Sequence, residues 1–366
     1  MLGRTRRADY VLIGIVVALV GYGLLVLSSA SVVLAEGRFG SPYFFLRRQL
    51  VSLGIGLVIF FMAQRIPYTV WKRFAPFFLI LSVLLLVLVF VPNFGFTHLG
   101  ARRWFRIGTF SIQPAEIVKL TFILYLAAWL EAKREEIREV WQGVVPFVLV
   151  LGVIATLILL EPDLGTLMVV AGAGVFMYAT SGARLRHLGV LALLGLLAFL
   201  LAVRLAPYRT ERLLAFFNPG ADPQGIGYHI NQSLIAIGSG GVWGRGLGHS
   251  IQKFNYLPEP IGDSIAAILG EELGFVGLAV LIALFLAFIL RGLVVARRAP
   301  DRFGRFVAVG IVSWLGLQAF VNIGAVSGLV PFTGIPLPFV SYGGSALVVA
   351  LAAVGILVNI SKHAHL

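Results

Sequence analysis

Residues 10–34 read YVLIGIVVALVGYGLLVLSSASVVL and contain no charged side chain. A helix needs about 20 consecutive apolar residues to cross the hydrocarbon core of a bilayer, so this run is long enough to span a membrane. Arg4, Arg6 and Arg7 precede the run, but it is too long for the apolar core of a signal peptide. The sequence therefore predicts a transmembrane helix near its N-terminus.

Nine further apolar runs of similar length follow in the 366 residues. Continuous runs favour helices over the strands of a membrane barrel, because barrel strands alternate apolar and polar residues. Of all residues, 59% are hydrophobic and 12% charged, against about 45–50% and about 25% in soluble domains, which excludes a soluble enzyme. We predict an all-α polytopic membrane protein that forms a single domain over residues 1–366. Its transmembrane helices, about ten in number, are predicted at 10–34, 46–64, 73–91, 114–130, 144–160, 164–181, 187–205, 264–290, 304–329 and 343–361.

Positive charge is unevenly distributed along the chain. The 29 Lys and Arg residues outnumber the 16 Asp and Glu residues, for a net charge of +13. With the N-terminus in the cytoplasm, 17 of the 29 cations fall on the cytoplasmic side and 11 on the outer side, and a cytoplasmic excess is the usual bias. We predict that both termini are cytoplasmic and that residues 206–263 form a large outer loop between helices 7 and 8. The outer cations exceed what orientation requires, which favours an anionic ligand on that side.

Charged residues in or beside the predicted helices are candidates for function, because burying charge in a membrane is costly. Glu116 and Lys119 lie three positions apart on the fourth helix, so they share a face and can neutralise each other. They either orient helices as a structural ion pair or line a polar cavity. Arg102 and Arg103 lie in the preceding outer loop, where they either anchor lipid headgroups or bind a phosphate, whose oxygens match the guanidinium group.

Two aspartates lie where outer turns enter predicted helices. Asp163 either caps the sixth helix or contacts a metal or sugar. Asp263 precedes the eighth helix; it is either an N-cap, with a lowered pKa, or an ionised carboxylate that serves as a general base.

The glycine-rich stretch at 238–248 contains neither a Walker A sequence nor a dinucleotide fingerprint, so the sequence shows no ATP-driven motor. The absence of cysteine excludes disulfides and thiolate metal sites.

Two further stretches carry conformational signals. Residues 334–345 read GIPLPFVSYGGS, without charge and with two prolines and three glycines. They predict a non-helical re-entrant segment, which a membrane tolerates only where protein buries it or it lines water. Residues 228–235 predict a short amphipathic helix at the membrane interface.

Taken together, these motifs resemble the SEDS family (shape, elongation, division and sporulation) of bacterial membrane proteins. The resemblance covers nearly the whole chain, and residues 232–235, 247–253 and 256–259 are more similar to the division branch than to the rod-shape branch. Asp263 matches the family pattern, but its neighbours Ile261, Gly262 and Ser264 do not. The motifs lie, in the order of the family, at 100–104, 110–119, 161–166, 235–241 and 341–345.

The resemblance implies a peptidoglycan glycosyltransferase of the bacterial cytoplasmic membrane, active in division or shape, that polymerises lipid II at the outer face. It implies a class B penicillin-binding protein as transpeptidase partner, and it makes Asp263 the essential aspartate. We predict no required cofactor, a role for a divalent cation (Mg²⁺ or Mn²⁺) as an open alternative, and no nucleic acid partner. The predicted substrate-binding residues are Arg102, Arg103, Glu116, Lys119, Lys253, Ser341, Gly343, Gly344 and Ser345.

The implied chemistry is consistent with these residue types. An α-linked donor and a β-linked product require one inverting displacement, for which a single base takes the proton of the attacking hydroxyl. The leaving pyrophosphate needs charge neutralisation more than protonation. Two other classes stay open, namely a flippase for a lipid-linked precursor, which would suit an intramembrane ion pair and broken helices, and a non-catalytic scaffold that recruits the transpeptidase.

Overall fold

The computed structural model describes residues 8–92, 94–98, 101–108, 110–134, 136–218, 220, 224–225 and 227–364. Arg4, Arg6, Arg7 and the Gly100 of the first motif lie outside the described residues. The helices are α1 Tyr10–Ala30, α2 Val32–Phe39, α3 Phe44–Arg65, α4 Tyr68–Leu88, α5 Pro114–Ala132, α6 Val145–Leu160, α7 Leu164–Thr180, α8 Leu185–Arg204, α9 Pro207–Phe217, α10 Tyr228–Gly240, α11 Ile265–Arg297, α12 Arg302–Val326 and α13 Gly344–His363. A π-helical turn, Val140–Val144, leads into α6.

Each of the ten predicted transmembrane segments corresponds to a helix. In the described part of the chain, eight helical spans are long and apolar enough to cross a membrane. The other two predicted segments are α7, which is only 17 residues long, and α5, which carries Glu116, Lys119 and Glu131. The prediction of an α-helical multi-pass membrane protein is confirmed.

The first predicted helix ends earlier than its apolar run. α1 stops at Ala30, and α2 begins at Val32. The junction follows two serines, and the Ser28 hydroxyl donates to the Leu25 carbonyl. Serine hydroxyls compete for backbone groups in this way, which weakens a helix. The expected end at residue 34 is therefore wrong by one turn.

The outer segment at 92–113 folds into a small sheet that the sequence analysis did not predict. Strands β1 Gly95–His98, β2 Ala101–Ile107 and β3 Phe110–Ile112 pair antiparallel in that order. In the register of the sheet, Phe96 pairs with Trp104 and Phe105 with Ile112. Aromatic and β-branched residues of this kind suit a pleated surface. Arg102 and Arg103 lie on β2, and β3 leads directly into α5.

The centre of the bundle is formed by α12 and α13, which are 72% buried over their most apolar windows, against 22–39% for the other spans. Residues 327–343 connect these two helices without helical structure. The predicted re-entrant segment is thereby confirmed, and its position between the two most buried spans places it inside the protein. The predicted helix at 228–235 is also present, as the longer α10.

α11 contains a break that its apolar pattern does not reveal. Gly274 has φ +65° and ψ −162°, outside helical geometry. A Cβ there would lie 2.3 Å from Gly244 N, so only glycine fits. The freed backbone groups bind the glycine-rich loop, since Phe275 N donates to Gly241 O at 2.9 Å and Arg245 N donates to Glu271 O at 3.0 Å. The glycine-rich stretch thus completes the broken helix.

Candidate active site

Asp263 lies in the turn directly before α11. The N-cap position belongs to Ser264, whose side chain makes no capping hydrogen bond, so the N-cap alternative for Asp263 is wrong. The turn is fixed by Asn322 of α12, which donates from Nδ2 to Asp263 O and to Ile335 O, each at 2.8 Å. One amide side chain therefore binds the aspartate turn to the re-entrant segment.

The re-entrant segment wraps around the same turn. Ser341 Oγ donates to Gly262 O at 2.6 Å, and Tyr342 N donates to Ile261 O at 2.8 Å. Gly334 has φ +73°, and a Cβ there would lie 3.4 Å from Asp263 Oδ2. The backbone of the segment thus passes beside the carboxylate, and the structure brings Ser341 together with Asp263.

Three further residues that were predicted to bind substrate, Gly343, Gly344 and Ser345, lie where this segment enters α13. Gly343 N donates to Gln49 Oε1 at 3.3 Å. A Cβ on Gly344 would lie 2.8 Å from Ser52 Oγ. Ser345 Oγ accepts from Gln113 N at 3.3 Å. These contacts hold the segment against α3 and the start of α5, and substrate contact by these residues stays a prediction.

The environment of Asp263 raises the pKa of its carboxyl to about 7. Burial is the main cause, the neighbouring Glu259 carboxylate adds to it, and Arg212 and the Ser264 hydroxyl act in the opposite direction. A general base works best with a pKa near the working pH. The exposed Arg212 on α9 was not singled out from the sequence. Its only sequence signal is that it is one of the surplus outer cations.

His229 on α10 is a second residue that the sequence analysis missed. Its Nε2 lies 2.6 Å from Ser264 Oγ, which in turn lies 3.4 Å from Asp263 Oδ1. The ring packs on Phe332, with centroids 3.9 Å apart. Burial and Arg212 lower the pKa of His229 to about 4, so the imidazole is neutral at physiological pH. Ser264 therefore links a neutral histidine to the aspartate.

Glu116 and Lys119 form an ion pair in the centre of the bundle. Both residues are buried, and Lys119 Nζ lies 2.7 Å from Glu116 Oε1. Lys119 Nζ also donates to Gln318 Oε1 at 2.8 Å, and Gln318 Nε2 donates to Pro336 O at 2.8 Å. The adjoining cavity of about 10 Å³ has space for about one water. The pair is thus hydrogen-bonded through α12 to the segment that flanks Asp263.

Arg103 binds the turn between α6 and α7. Its Nε donates to Glu161 O at 2.6 Å, and a terminal nitrogen donates to Pro162 O. Burial, with Asp163 nearby, raises the pKa of the Glu161 carboxyl to about 9. Asp163 caps α7 by accepting from Thr166 N at 3.0 Å, which is the first of its two alternatives. Arg102, by contrast, is exposed on β2.

Lys253 lies in a separate buried network. Its Nζ contacts Glu272 Oε1 at 2.9 Å, Gly248 O at 2.7 Å and Ser29 Oγ at 3.2 Å. Within the described chain, no hydrogen bond or ion pair joins Lys253 to Asp263. Glu272 neutralises this ammonium, and contact between Lys253 and substrate stays a prediction.

In the part of the chain that the structure describes, no group of three or more His, Cys, Asp or Glu side chains is placed to hold a metal ion. The pair Glu259 and Asp263 offers two carboxylates, and Mg²⁺ is commonly bound by one or two carboxylates plus substrate phosphates. A divalent cation at this site stays a prediction.

Comparison with known proteins decides the family. The model of the FtsW, RodA and SpoVE family of cell cycle proteins matches residues 10–366. This chain belongs to that family. It is 44% identical to the stage V sporulation protein E of Bacillus subtilis (strain 168), over 97% of both chains. It is 42% identical to the probable peptidoglycan glycosyltransferase FtsW of Geobacter metallireducens, over 97% of this chain and 95% of that one.

Solved structures agree with the family fold. A chain of a peptidoglycan synthase complex that coordinates polymerization and crosslinking superposes with a TM-score of 0.80 and 31% identity, over 97% of this chain and 98% of that one. The rod shape determining protein RodA of Thermus thermophilus gives a TM-score of 0.72 and 30% identity, over 98% of each chain. The fold and the membrane class of this FtsW/RodA/SpoVE member are therefore shared with experimentally determined structures.

Proposed function

We propose that this protein is a peptidoglycan glycosyltransferase that polymerises lipid II at the outer face of the bacterial cytoplasmic membrane, with Asp263 as general base. The observation that carries the proposal is the Asp263 carboxyl, which lies in a turn whose backbone is bound by the Asn322 side chain and whose surroundings raise its pKa to about 7. The names of the Geobacter relative and of the synthase complex support the activity.

The reaction needs one proton transfer and one displacement. Asp263 takes the proton of the acceptor sugar hydroxyl while that oxygen attacks the anomeric carbon of the donor. The bond from this carbon to the pyrophosphate oxygen breaks, and its electron pair leaves with the pyrophosphate. The proton stays on Asp263 until water removes it. The β-linkage of the product follows from attack opposite the α-linked leaving group.

Cations at the outer surface would stabilise the leaving pyrophosphate. Arg212, whose charge lowers the pKa of Asp263, is exposed beside that carboxylate, and Arg102 is exposed on β2. Positive groups that meet developing negative charge are among the largest contributions to such catalysis. Arg103 is engaged with the turn at 161–162, so we assign it a positioning role and give Arg212 the place that Arg103 was predicted to hold.

The buried ion pair acts at a distance from the chemistry. Lys119 reaches the re-entrant segment through Gln318 and Pro336 O, and that segment binds the aspartate turn. Breaking a buried ion pair leaves an uncompensated charge at a cost of about 3–5 kcal/mol, so the pair strongly favours one helix arrangement. We assign Glu116 and Lys119 to positioning of the segment around Asp263.

A transpeptidase is the partner that this activity calls for. Glycan strands need crosslinking, and the structurally similar synthase complex coordinates polymerization with crosslinking. We propose a class B penicillin-binding protein as the partner of this chain.

The test uses the purified full chain in proteoliposomes with fluorescent lipid II, with and without the partner and Mg²⁺. If the protein is a polymerase, the unmodified chain should form glycan strands and the Asp263→Ala variant should form none. Glu211→Ala, which changes an exposed carboxylate on α9, serves as the matched control and should polymerise normally. Movement of lipid II across the membrane without polymer would instead identify a flippase, and neither signal in the presence of partner would leave a scaffold.

A further inference from the structure

A groove opens between α1, α3 and α13, away from the candidate active site. Its volume is about 990 Å³. It exists because α3 packs mainly on α13, whereas α1 packs mainly on α11, so α1 and α3 diverge. Val17 of α1 and Phe61 of α3 line the groove and expose 64% and 50% of their surface. The groove is therefore open towards the surrounding lipid.

The groove runs along one half of the membrane and beyond. On α1 it extends from Tyr10 to Leu24, which is about 21 Å at about 1.5 Å per residue. One leaflet contributes about 15 Å of hydrocarbon. The walls are apolar along this length, with valines on α1, leucines and phenylalanines on α3, and Leu351 on α13. Such a channel suits acyl chains that enter from one leaflet.

One end of the groove is cationic. Arg65 and Lys362 line it there, and among the lining residues that the structure describes there is no Asp or Glu. Lys362 Nζ donates to Gln64 O at 3.1 Å. Neither cation forms an ion pair with any residue that the structure describes. The distribution of Lys and Arg places this end on the cytoplasmic side.

These properties distinguish among occupants. A transmembrane helix of a partner would bring its own cations to the cytoplasmic end, because the positive-inside bias applies to it as well. A zwitterionic lipid would bring an ammonium group. An anionic lipid carries a phosphate without an ammonium group, so its headgroup keeps a net negative charge that Arg65 and Lys362 can neutralise. Basic pockets between helices bind anionic headgroups in this way.

We propose that this groove binds an anionic glycerophospholipid of the cytoplasmic leaflet, with its phosphate between Arg65 and Lys362 and its acyl chains between α1 and α3. The bound lipid fills the gap between two helices that otherwise contact different neighbours. The proposal is independent of the activity assigned to Asp263.

The probe is phosphatidylglycerol that carries a photoreactive group on an acyl chain, added to the full chain in phosphatidylcholine nanodiscs. We expect labelled peptides from α1 and α3, and about 30-fold weaker capture by Arg65→Gln/Lys362→Gln, since each such cation contributes about 1 kcal/mol. The matched control is Arg297→Gln/Arg298→Gln, which removes two exposed cations at the end of α11 and should capture normally. Val17→Trp, which fills the groove without changing charge, should also reduce capture.

Four results would overturn the proposal. These are unchanged capture by the Arg65/Lys362 variant, labelling confined to other helices, equal capture of a phosphatidylcholine analogue, and displacement of the probe by a polyprenyl phosphate at lower concentration than by phosphatidylglycerol. Thermal unfolding of each variant shows that it is folded. If the double variant does not fold, the Val17→Trp result and the lipid comparison decide the matter.

Discussion

The start of α11 carries two acidic regions that the protein uses in opposite ways. Glu271, two turns into the helix, accepts from Ser250 Oγ at 2.5 Å, Ile251 N at 3.0 Å and Gln252 N at 3.2 Å. Its neighbour Glu272 pairs with Lys253 at 2.9 Å. Both carboxylates therefore anchor the loop at 245–253 to the broken helix.

The carboxylate of Asp263, in the turn before the same helix, is not saturated with hydrogen bonds in this way. Among the described residues, its carboxylate is approached by the Ser264 hydroxyl at 3.4 Å, and burial raises its pKa to about 7. Hydrogen bonds to a carboxylate favour its ionised form, so their scarcity leaves a carboxylate able to accept a proton near neutral pH. The difference indicates that hydrogen-bond saturation, rather than residue type, separates the anchoring acid Glu271 from Asp263, which we propose as the base.

The largest expected effect concerns the anchoring region. Glu272→Ala leaves the buried Lys253 ammonium without a counter-charge and should cost about 3–5 kcal/mol of folding free energy. Thermal unfolding in detergent should therefore show a clear loss of stability. Removing both charges, in Glu272→Gln/Lys253→Met, should recover most of that loss. A single variant as stable as the unmodified protein would show that Glu272 is not an anchor.

A smaller effect concerns the pH dependence of the proposed base. Polymerisation should rise about tenfold per pH unit below pH 7 and level off above it, because Asp263 must be ionised to accept a proton. Arg212→Gln removes a charge that lowers the pKa of Asp263, so its profile should move to higher pH. Glu259→Gln removes a charge that raises this pKa, so its profile should move to lower pH.

The raised pKa of Asp263 also makes the folding stability of the protein depend on pH. The pKa of Asp263 is raised from 3.8 to about 7 in the folded protein, so ionisation opposes folding and its cost grows as the pH rises between these values.

The activity profiles supply the contradicting outcome. If the pH profiles of polymerisation by Arg212→Gln and Glu259→Gln do not move in opposite directions, a group other than Asp263 limits the rate.

Sequence predicted well what depends on local pattern. Apolar runs located ten helical segments, eight of which are long and apolar enough to cross a membrane. The prolines and glycines of residues 334–345 located the re-entrant segment, and a three-residue spacing located the pair Glu116 and Lys119. These signals are carried by neighbouring residues, so one sequence suffices to find them.

What sequence missed depends on contacts between distant segments. Gly274 breaks α11 because residues 241–246 approach its backbone. His229 and Arg212 come near Asp263 because two helices of the outer loop pack there. The pairing of Lys253 with Glu272 was not predicted, because Glu272 comes from another element. The three strands at 95–112 were missed because each is shorter than the windows that reveal membrane helices.

The most direct measurement compares Asp263→Asn with Glu271→Gln for lipid II polymerisation per folded molecule and for thermal unfolding. Asp263→Asn should lose polymerisation by about 10²–10⁴-fold, the usual contribution of a general base, and keep its thermal stability. Glu271→Gln should lose stability and keep its activity per folded molecule. An Asp263→Asn protein that still forms glycan strands at the normal rate would contradict the account.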